Sequence, residues 1–315
     1  MKAFGLAVAL VGVAVPPEAI AQAFDTARLE VQNDYFNFWR SPKQRPDYEF
    51  THGATLNLGW RGGFFLRGYD CSDRRPTPCA RSEFTLGQEI YTPRIDGAEP
   101  VPGERPYGGW LYLRLREEVS SSASSHRFGV TVGVTGEPSL ARVVQATFHK
   151  FAGFRTPEGW NHQIPFEPGL IMDYDYRRVL FRASVGENDV LMLHPRLEAH
   201  LGTVRTSAGL ELGVRMGWGV EAPWRSLRVT GSKVRIYLTG SIGGELVARD
   251  LFLDGGTFSD TVGVDRRVAV ARYRLGVTLR IRRVRVRYHI TARSRSYGTE
   301  PGGHTYSGLS VAIEM

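Results

Sequence analysis

Apolar and polar residues alternate with a period of two along most of the chain, and the segment 267–295 shows this most clearly. One set of alternate positions is apolar: Ala269, Ala271, Tyr273, Leu275, Val277, Leu279 and Ile281. The positions between them include Arg272, Arg274 and Arg280. Because successive residues of a strand face opposite sides of a sheet, the pattern predicts strands with one apolar face and one arginine-rich face.

Twelve segments of this kind occur, and their lengths of about 9–14 residues suit tilted strands that cross a membrane. They cover residues 26–34, 48–60, 83–92, 106–118, 126–135, 166–178, 190–202, 206–219, 233–248, 267–281, 283–295 and 304–315. Alternation alone fits two all-β folds. A soluble sandwich buries its apolar face in a core, whereas a membrane barrel turns it outward to lipid.

The first residues of the chain, 1–23, predict a secretory signal peptide. Lys2 precedes an apolar run at 3–15, and small residues near the end allow cleavage after Ala21 or Ala23. A buried N-terminal helix is the alternative, and the paired prolines that follow the apolar run fit it poorly. Export and strand length favour the barrel. We therefore expect residues 24–315 to form a 12-stranded antiparallel transmembrane β-barrel.

An even number of strands places both ends of the chain on the periplasmic side. The long connections then face the outside: 136–165, 249–266 and 296–303. The longest of them predicts a short extracellular helix, with Ser139 as its N-cap and Gly153 at its end. The apolar side chains of Val144, Phe148 and Phe151 share a face of this helix, and we expect them to pack against the barrel wall.

Composition narrows the class of protein further. Hydrophobic residues make up 42% of the 315-residue chain, which excludes a disordered protein. Beyond the signal peptide no apolar run approaches the roughly 20 residues of a spanning helix. The net charge of +8 by itself fits nucleic acid or anionic lipid as a partner. Since the arginines fall on inward faces and at the rim, we expect no nucleic-acid partner. The inward arginines should pair with Glu211, Glu245, Asp173 and Asp175.

The chain has two cysteines, Cys71 and Cys79, in a loop-like stretch. Export would place them in an oxidising compartment, so a disulfide that closes this loop is the expected arrangement. A metal pair would need further ligands nearby, and the stretch supplies none.

Several short motifs follow the predicted strands in order, and together they resemble the outer-membrane lipid A 3′-O-deacylase family, also called the LpxR family. The motifs are Asn33-Asp34-Tyr35-Phe36, Tyr48-x-Phe50-Thr51-His52-Gly53, Gly87-Gln88-Glu89-Ile90-Tyr91-Thr92-Pro93, Glu104-Arg105-Pro106-Tyr107-Gly108-Gly109-Trp110-Leu111-Tyr112, Gln145-x3-His149 and Gly159-Trp160-Asn161-His162-Gln163. The resemblance is specific over about residues 28–180 and continues as strand pattern to the end.

The resemblance implies a twelve-stranded enzyme of the bacterial outer membrane that hydrolyses the 3′-acyloxyacyl ester of lipid A in lipopolysaccharide. It implies a calcium-dependent site between the barrel wall and an external loop helix. The catalytic residues carried over are His149, Gln145, Asn33, Asp34 and Thr51, and Asp34 and Asn33 are the implied metal ligands. We expect the protein to act as a monomer on lipid A of the outer leaflet.

The residue types agree with this chemistry. An imidazole such as that of His149 titrates near neutrality and can take a proton from water that attacks a carbonyl. Asp34 supplies the hard oxygen donors that calcium prefers, and a bound cation would stabilise the oxyanion of ester cleavage. Some relatives place an acidic residue soon after the histidine, where this chain has Arg155, with Glu158 as the nearest acid.

Four basic side chains flank the same predicted rim: Arg94, Arg105, Lys43 and Arg45. Because an arginine fork matches phosphate geometry, we expect these side chains to contact the phosphates or core sugars of lipid A. Ordinary loop solvation is the alternative.

Two other functions compete with the deacylase. An outer-membrane phospholipase would use a serine nucleophile, and the sequence has neither Gly-x-Ser-x-Gly nor a convincing Ser–His pairing. A small porin or structural barrel would use the motifs only to shape its rim. The helix with Gln145 and His149 discriminates, because a passive pore has no need of it.

Overall fold

The computed structural model describes residues 24–38, 48–66, 79–224 and 233–314, and strands dominate it. They are β1 (Thr26–Asn33), β2 (Glu49–Arg61), β3 (Cys79–Thr92), β4 (Gly108–Ser120), β5 (Ser124–Thr135), β6 (Pro168–Arg178), β7 (Phe181–Val185), β8 (Asn188–Gly202), β9 (Arg205–Trp218), β10 (Val234–Asp250), β11 (Ala269–Ile281), β12 (Val284–Arg293) and β13 (His304–Glu314). All strand pairings are antiparallel, and most of them join strands that are consecutive in the chain. β1 pairs with β13 and β6 with β8, so the sheet closes into a barrel.

Strands β6 and β7 follow one another at a single position in the barrel. Both pair with β8: Arg177 lies opposite Arg196, and Phe181 lies opposite Leu193. The break between them falls at residues 179–180, where the backbone N–H of Val179 donates to Ala123 O at 2.8 Å. Counted by position, the closed barrel has twelve strands, and this prediction is confirmed.

The faces of the strands have the order expected in a membrane. On β11, Leu275 is 63% exposed on the outside, while Thr278 and Arg280 are buried on the inside. The same outward apolar pattern recurs on β9 and β10, for example at Leu210 and Ile242. A sandwich would show the reverse, so the barrel is the correct alternative. No helix among the described residues is long and apolar enough to cross a membrane.

Charged side chains fill the lumen and pair along its wall, as predicted for the four acidic residues. The pairs are Arg274–Glu211 at 2.5 Å, Arg205–Glu245 and Arg272–Glu245 at 2.7 Å, Arg116–Asp173 at 2.9 Å and Arg177–Asp175 at 2.8 Å. Burying a charge is costly unless an opposite charge and hydrogen bonds compensate it. The inward arginines are therefore structural partners of buried carboxylates.

Glycines make room for large side chains inside this narrow lumen. A Cβ at Gly213 would lie 2.3 Å from the ring of His194 on β8, and one at Gly308 would lie 2.3 Å from the ring of His289 on β12. Both distances are far below van der Waals contact, so a larger residue would displace the ring of its neighbour. The close approach of neighbouring strands accounts for part of the glycine content.

Two helices lie at one end of the barrel, the end at which β1 and β3 finish and β2 begins, which we call the site rim. They are α1 (Ala141–Ala152) and α2 (Leu251–Asp254). The long connections at the site rim mark it as the extracellular end. α1 ends at Gly153, whose φ is 75°, as predicted. The prediction that Ser139 is the N-cap is wrong: Leu140, with φ 60°, holds that position, and Ser139 belongs to the preceding 3-10 turn.

A buried carboxylate, Glu49 of β2, binds residues before β4 and at the end of β12 and so connects separate parts of the site rim. It is 1% exposed and accepts hydrogen bonds from Arg105 at 3.2 Å, Arg293 at 3.1 Å and the Tyr297 hydroxyl at 2.6 Å. Burial and the Glu49 carboxylate raise the pKa of Tyr297, which keeps the phenol protonated as a donor. Arg105 also donates to the carbonyl of Phe252 in α2 at 3.2 Å, so this cluster fixes α2 over the mouth of the lumen.

We predict that Glu49→Ala destabilises the barrel by about 3–5 kcal/mol, because it leaves two buried guanidinium groups without their shared carboxylate. The measurement is urea unfolding of the protein in lipid vesicles. The control is Glu158→Gln, which removes an exposed pair with Arg155 and should leave the unfolding midpoint unchanged. Equal midpoints for Glu49→Ala and the wild type would contradict the prediction.

Candidate active site

Asn33 and Asp34 form the turn that ends β1 at the site rim. The side-chain oxygen of Asn33 accepts the N–H of Tyr35 at 2.7 Å and so caps the 3-10 turn Asp34–Phe36. Asp34 is fully buried, and its Oδ2 accepts the N–H of Tyr48 at 2.8 Å. The pair therefore joins the end of β1 to the start of β2, and it places a buried carboxylate at the rim.

Thr51 lies one strand away, in a β-bulge of β2. Phe50 pairs with Tyr91 and His52 pairs with Ile90, so Thr51 is the extra residue between them. Its hydroxyl shares a 2.6 Å hydrogen bond with the hydroxyl of Thr92 on β3. Bulges re-aim a side chain locally and are common beside active sites. Thr51 is buried next to the rim, two residues after Glu49.

Helix α1 presents its polar face to the barrel. Ala141, Gln145 and His149 are its buried residues, at the i, i+4, i+8 spacing that keeps side chains on one face. The helix lies against β3 and β4, and Gln88 of β3 donates to the carbonyl of Ser139 just before it at 2.6 Å. The two polar residues that the sequence places on one face thus point toward the barrel wall.

The apolar face of α1 does not pack as predicted. Val144 packs against Ile90 and Trp160, but Phe148 is 37% and Phe151 51% exposed. The prediction for the two phenylalanines is wrong because Gln145 and His149 take the barrel side. Helical periodicity defines a face without specifying the environment that the face meets.

Trp160 fixes the orientation of Gln145. Its indole N–H donates to Gln145 Oε1 at 2.8 Å, and both side chains are buried. Because an indole N–H can only donate, the amide oxygen must face Trp160, and the amide NH₂ group points away from it. The sequence motif contains Trp160, but nothing in the spacing assigns it this partner.

The imidazole of His149 is held in one tautomer. Its Nδ1 lies 2.6 Å from the backbone carbonyl of Arg155. A carbonyl only accepts, so Nδ1 carries the proton and the lone pair of the neutral ring is on Nε2. A backbone carbonyl thereby orients the ring and leaves Nε2 as the nitrogen that can accept a proton.

Aromatic contacts bring the β1 turn and the helix together. The ring of Tyr35, next to Asp34, lies 5.3 Å from that of Phe154, and Phe154 lies 5.7 Å from the His149 ring, edge to face. The distances join ring centroids. The contact of Phe154, like the hydrogen bond of Trp160, was not predicted from the sequence. The candidate site consists of Asn33, Asp34 and Thr51 of the site rim and Gln145 and His149 of α1, and the Tyr35–Phe154–His149 contacts join the two groups at the seam between α1 and the site rim.

The four basic residues expected to bind substrate have different positions. Arg94 is 40% exposed and pairs with Glu104 at 3.2 Å, so it remains on the surface. Arg105 is 4% exposed, binds Glu49 and lies over the Tyr91 ring. The position of Arg105 does not support contact with a substrate phosphate, because its guanidinium binds Glu49 inside the protein. Lys43 and Arg45 lie outside the described residues.

The donor atoms of the site are consistent with a hard cation. Among the described residues no three His, Cys, Asp or Glu side chains come together as a metal cluster. Asp34 and Asn33 supply a buried carboxylate and an amide oxygen, a combination typical of calcium and unlike the nitrogen and sulfur ligands of zinc. Cys79 begins β3, at the end of that strand away from the site rim, and is in a disulfide; Cys71 lies outside the described residues.

Comparisons with known proteins agree with the fold. The family model described as "Outer membrane protein LpxR" matches residues 5–315. The solved structure of LpxR from Salmonella typhimurium is similar, with 18% sequence identity and a TM-score of 0.75 over 92% of this chain and 100% of that chain. The β-domain of the Bordetella autotransporter BrkA matches more distantly, with 10% identity and a TM-score of 0.43 over 92% and 98% of the two chains. No curated protein matches the chain.

We predict that neutral His149 carries its proton on Nδ1, because that nitrogen bonds to the Arg155 carbonyl. The measurement is ¹⁵N NMR of histidine-labelled protein in micelles at alkaline pH, with the His149 signals identified by their loss in His149→Gln. A protonated Nδ1 and an unprotonated Nε2 are expected. A ring with its proton mainly on Nε2 would contradict this geometry.

Proposed function

Because the chain belongs to the LpxR family and is an outer-membrane barrel, we propose that it hydrolyses the 3′-acyloxyacyl ester of lipid A. The observation that carries the proposal is the buried His149, oriented through Nδ1, on a helix that the Tyr35–Phe154 contact joins to the turn with the buried Asp34. A general base at a water-restricted seam beside the outer leaflet suits hydrolysis of a membrane ester.

His149 acts as the general base in this reaction. Its Nε2 takes a proton from water as the water oxygen attacks the ester carbonyl carbon. The tetrahedral intermediate then collapses and breaks the bond to the 3′ oxygen of the sugar, and the imidazolium returns a proton to that oxygen. The products are lipid A with a free 3′ hydroxyl and an acyloxyacyl carboxylate, so no acyl group remains on the enzyme.

Gln145 stabilises the oxyanion of the intermediate through its amide NH₂ group. Because Trp160 holds the amide oxygen, the NH₂ group of Gln145 is already oriented before the reaction begins. Preorganised donors of this kind are among the larger contributions to acyl-transfer catalysis. Thr51 holds the bulge beside the site and is available to position the water.

Asp34 and Asn33 would hold a calcium ion at the same end of the seam. A bound calcium ion supplies Lewis-acid stabilisation of negative charge on the carbonyl oxygen. Of the four basic residues expected to bind substrate, Arg94 is exposed on the β3–β4 connection and would bind a lipid A phosphate.

A passive pore accounts poorly for the interior of this barrel. At the site rim, Leu251 and Phe252 of α2 are buried against Trp110 and Ile164. At the opposite end, the indole of Trp224 donates to the carbonyl of Ser121 at 2.9 Å, across the mouth. Side chains thus pack across both ends of the lumen, which speaks against a porin.

The test of the proposed function is mass spectrometry of lipid A from cells that express the protein. We predict that wild-type protein removes the 3′-acyloxyacyl mass and that His149→Ala lowers the rate by about 10²–10⁴-fold, as loss of a general base does. His126→Ala, on β5 and bonded to Tyr174, is the control and should remain active. Unchanged lipid A with wild-type protein, or release of phospholipid acyl chains instead, would contradict the proposal.

Calcium dependence is a separate prediction. EGTA should abolish deacylation by the purified protein, and added Ca²⁺ should restore it. Asp34→Asn should raise the Ca²⁺ concentration needed for half-maximal rate, because it removes the charged oxygen donor. The measurement is the rate of acid release against free Ca²⁺. Full activity in EGTA would show that no calcium ion takes part.

A further inference from the structure

Helix α1 has three faces with different environments. Ala141, Gln145 and His149 face the barrel. Arg142 is exposed on the side next to His149 and donates to Asn161 at 3.0 Å, and Lys150, seven residues after Val143, is exposed at the border of the third face. The third face, which we call the outer face, consists of Val143, Thr147 and Phe151.

The outer face is apolar and exposed. Val143 is 60% and Phe151 51% exposed, although α1 is otherwise closely fitted to the barrel. Isolated exposed apolar residues are ordinary, whereas a contiguous apolar surface on an ordered helix marks an interaction site.

The outer face continues into the lipid-facing wall of the barrel. Val132 and Leu170 pair across β5 and β6 just below the site rim, and both are exposed. Above them the backbone of Phe166 packs on Gly136, and Phe166 and Leu140 are also exposed. An apolar surface thus runs without a polar interruption among these side chains from the membrane-spanning strands to α1.

We propose that α1 lies in the outer leaflet, with Val143, Thr147 and Phe151 against lipid acyl chains. The occupant follows from two observations. The outer face is continuous with a wall that acyl chains already cover, and it is bordered by Arg142 and Lys150, whose long side chains suit the anionic headgroup layer. An amphipathic helix with basic residues beside its apolar face is typical of this boundary.

This placement goes beyond the proposed reaction and does not depend on it. It puts the seam with His149 at the depth where headgroups meet acyl chains. A membrane lipid could then enter from the side without leaving the leaflet. Phe151, which the sequence analysis assigned to the barrel wall, has acyl chains as its partner instead.

The test uses single cysteines labelled with nitroxide in vesicles of lipid A and phosphatidylethanolamine. Of the native cysteines, Cys79 is disulfide-bonded and does not take the label, and Cys71 lies outside the described residues. Labels at Val143→Cys and Phe151→Cys report the outer face. Glu99→Cys, at a side chain that is 83% exposed on the β3–β4 connection, is the aqueous control, and Leu275→Cys on the lipid-facing side of β11 is the acyl-chain control. The readout is collision of each label with oxygen, which partitions into acyl chains, and with a water-soluble nickel complex.

We expect labels at positions 143 and 151 to collide with oxygen several-fold more than with nickel, as the label at 275 does. The label at 99 should show the opposite ratio. Nickel-dominated collisions at 143 and 151, alongside normal behaviour at 275, would overturn the proposal in a folded barrel. Dipolar broadening between labels of two copies would also overturn it, by showing that a second copy covers the face. Because no catalysis is measured, failure here leaves the proposed reaction to its own test.

Discussion

The site depends on one buried carboxylate, Glu49, and on the need to compensate its charge inside a closed barrel. Arg105, Arg293 and Tyr297 converge on it from elements far apart in the chain, and this fixes the start of β2. The residue before Glu49 donates its N–H to Asp34, and Thr51 lies two residues after it. The cluster that stabilises the site rim therefore also sets where the carboxylate and hydroxyl of the candidate site lie. Arg105, expected to bind substrate, serves this structural purpose.

Helix α1, like the strands of the barrel, has its polar side chains on the inner side and apolar side chains on the outer side. In the strands, charged residues pair in the lumen and apolar residues face outward; in α1, Gln145 and His149 turn inward while Val143 and Phe151 turn outward. The two polar side chains have their hydrogen-bond partners in the connection that follows α1. Trp160 holds the amide, and the Arg155 carbonyl holds the ring. A water-soluble helix would have buried its phenylalanines against the wall, which is why the packing prediction for Phe148 and Phe151 failed.

Strand periodicity predicted most of the fold, because in a barrel every strand has the same two environments and the pattern repeats along the chain. It did not show the break between β6 and β7, since Phe181–Val185 continues the same barrel position. The motifs and the resemblance supplied the five candidate residues, which the structure places at the site rim (Asn33, Asp34, Thr51) and on the barrel side of α1 (Gln145, His149); their roles stay predictions. Their supporting partners could not be read from the sequence. Trp160 and Phe154 act through contacts between side chains, and the Glu49–Arg293 pair joins residues at opposite ends of the chain, for which local spacing carries no signal.

The central claim is that water, activated at the seam between α1 and the site rim, attacks the acyl carbonyl of a lipid A ester. Deacylation by the purified protein in H₂¹⁸O tests it most directly. The account predicts one ¹⁸O atom in the carboxyl group of the released acyloxyacyl acid and none in the 3′ hydroxyl of lipid A. Label in the sugar hydroxyl, or transfer of the acyl group to another lipid without ¹⁸O, would contradict it.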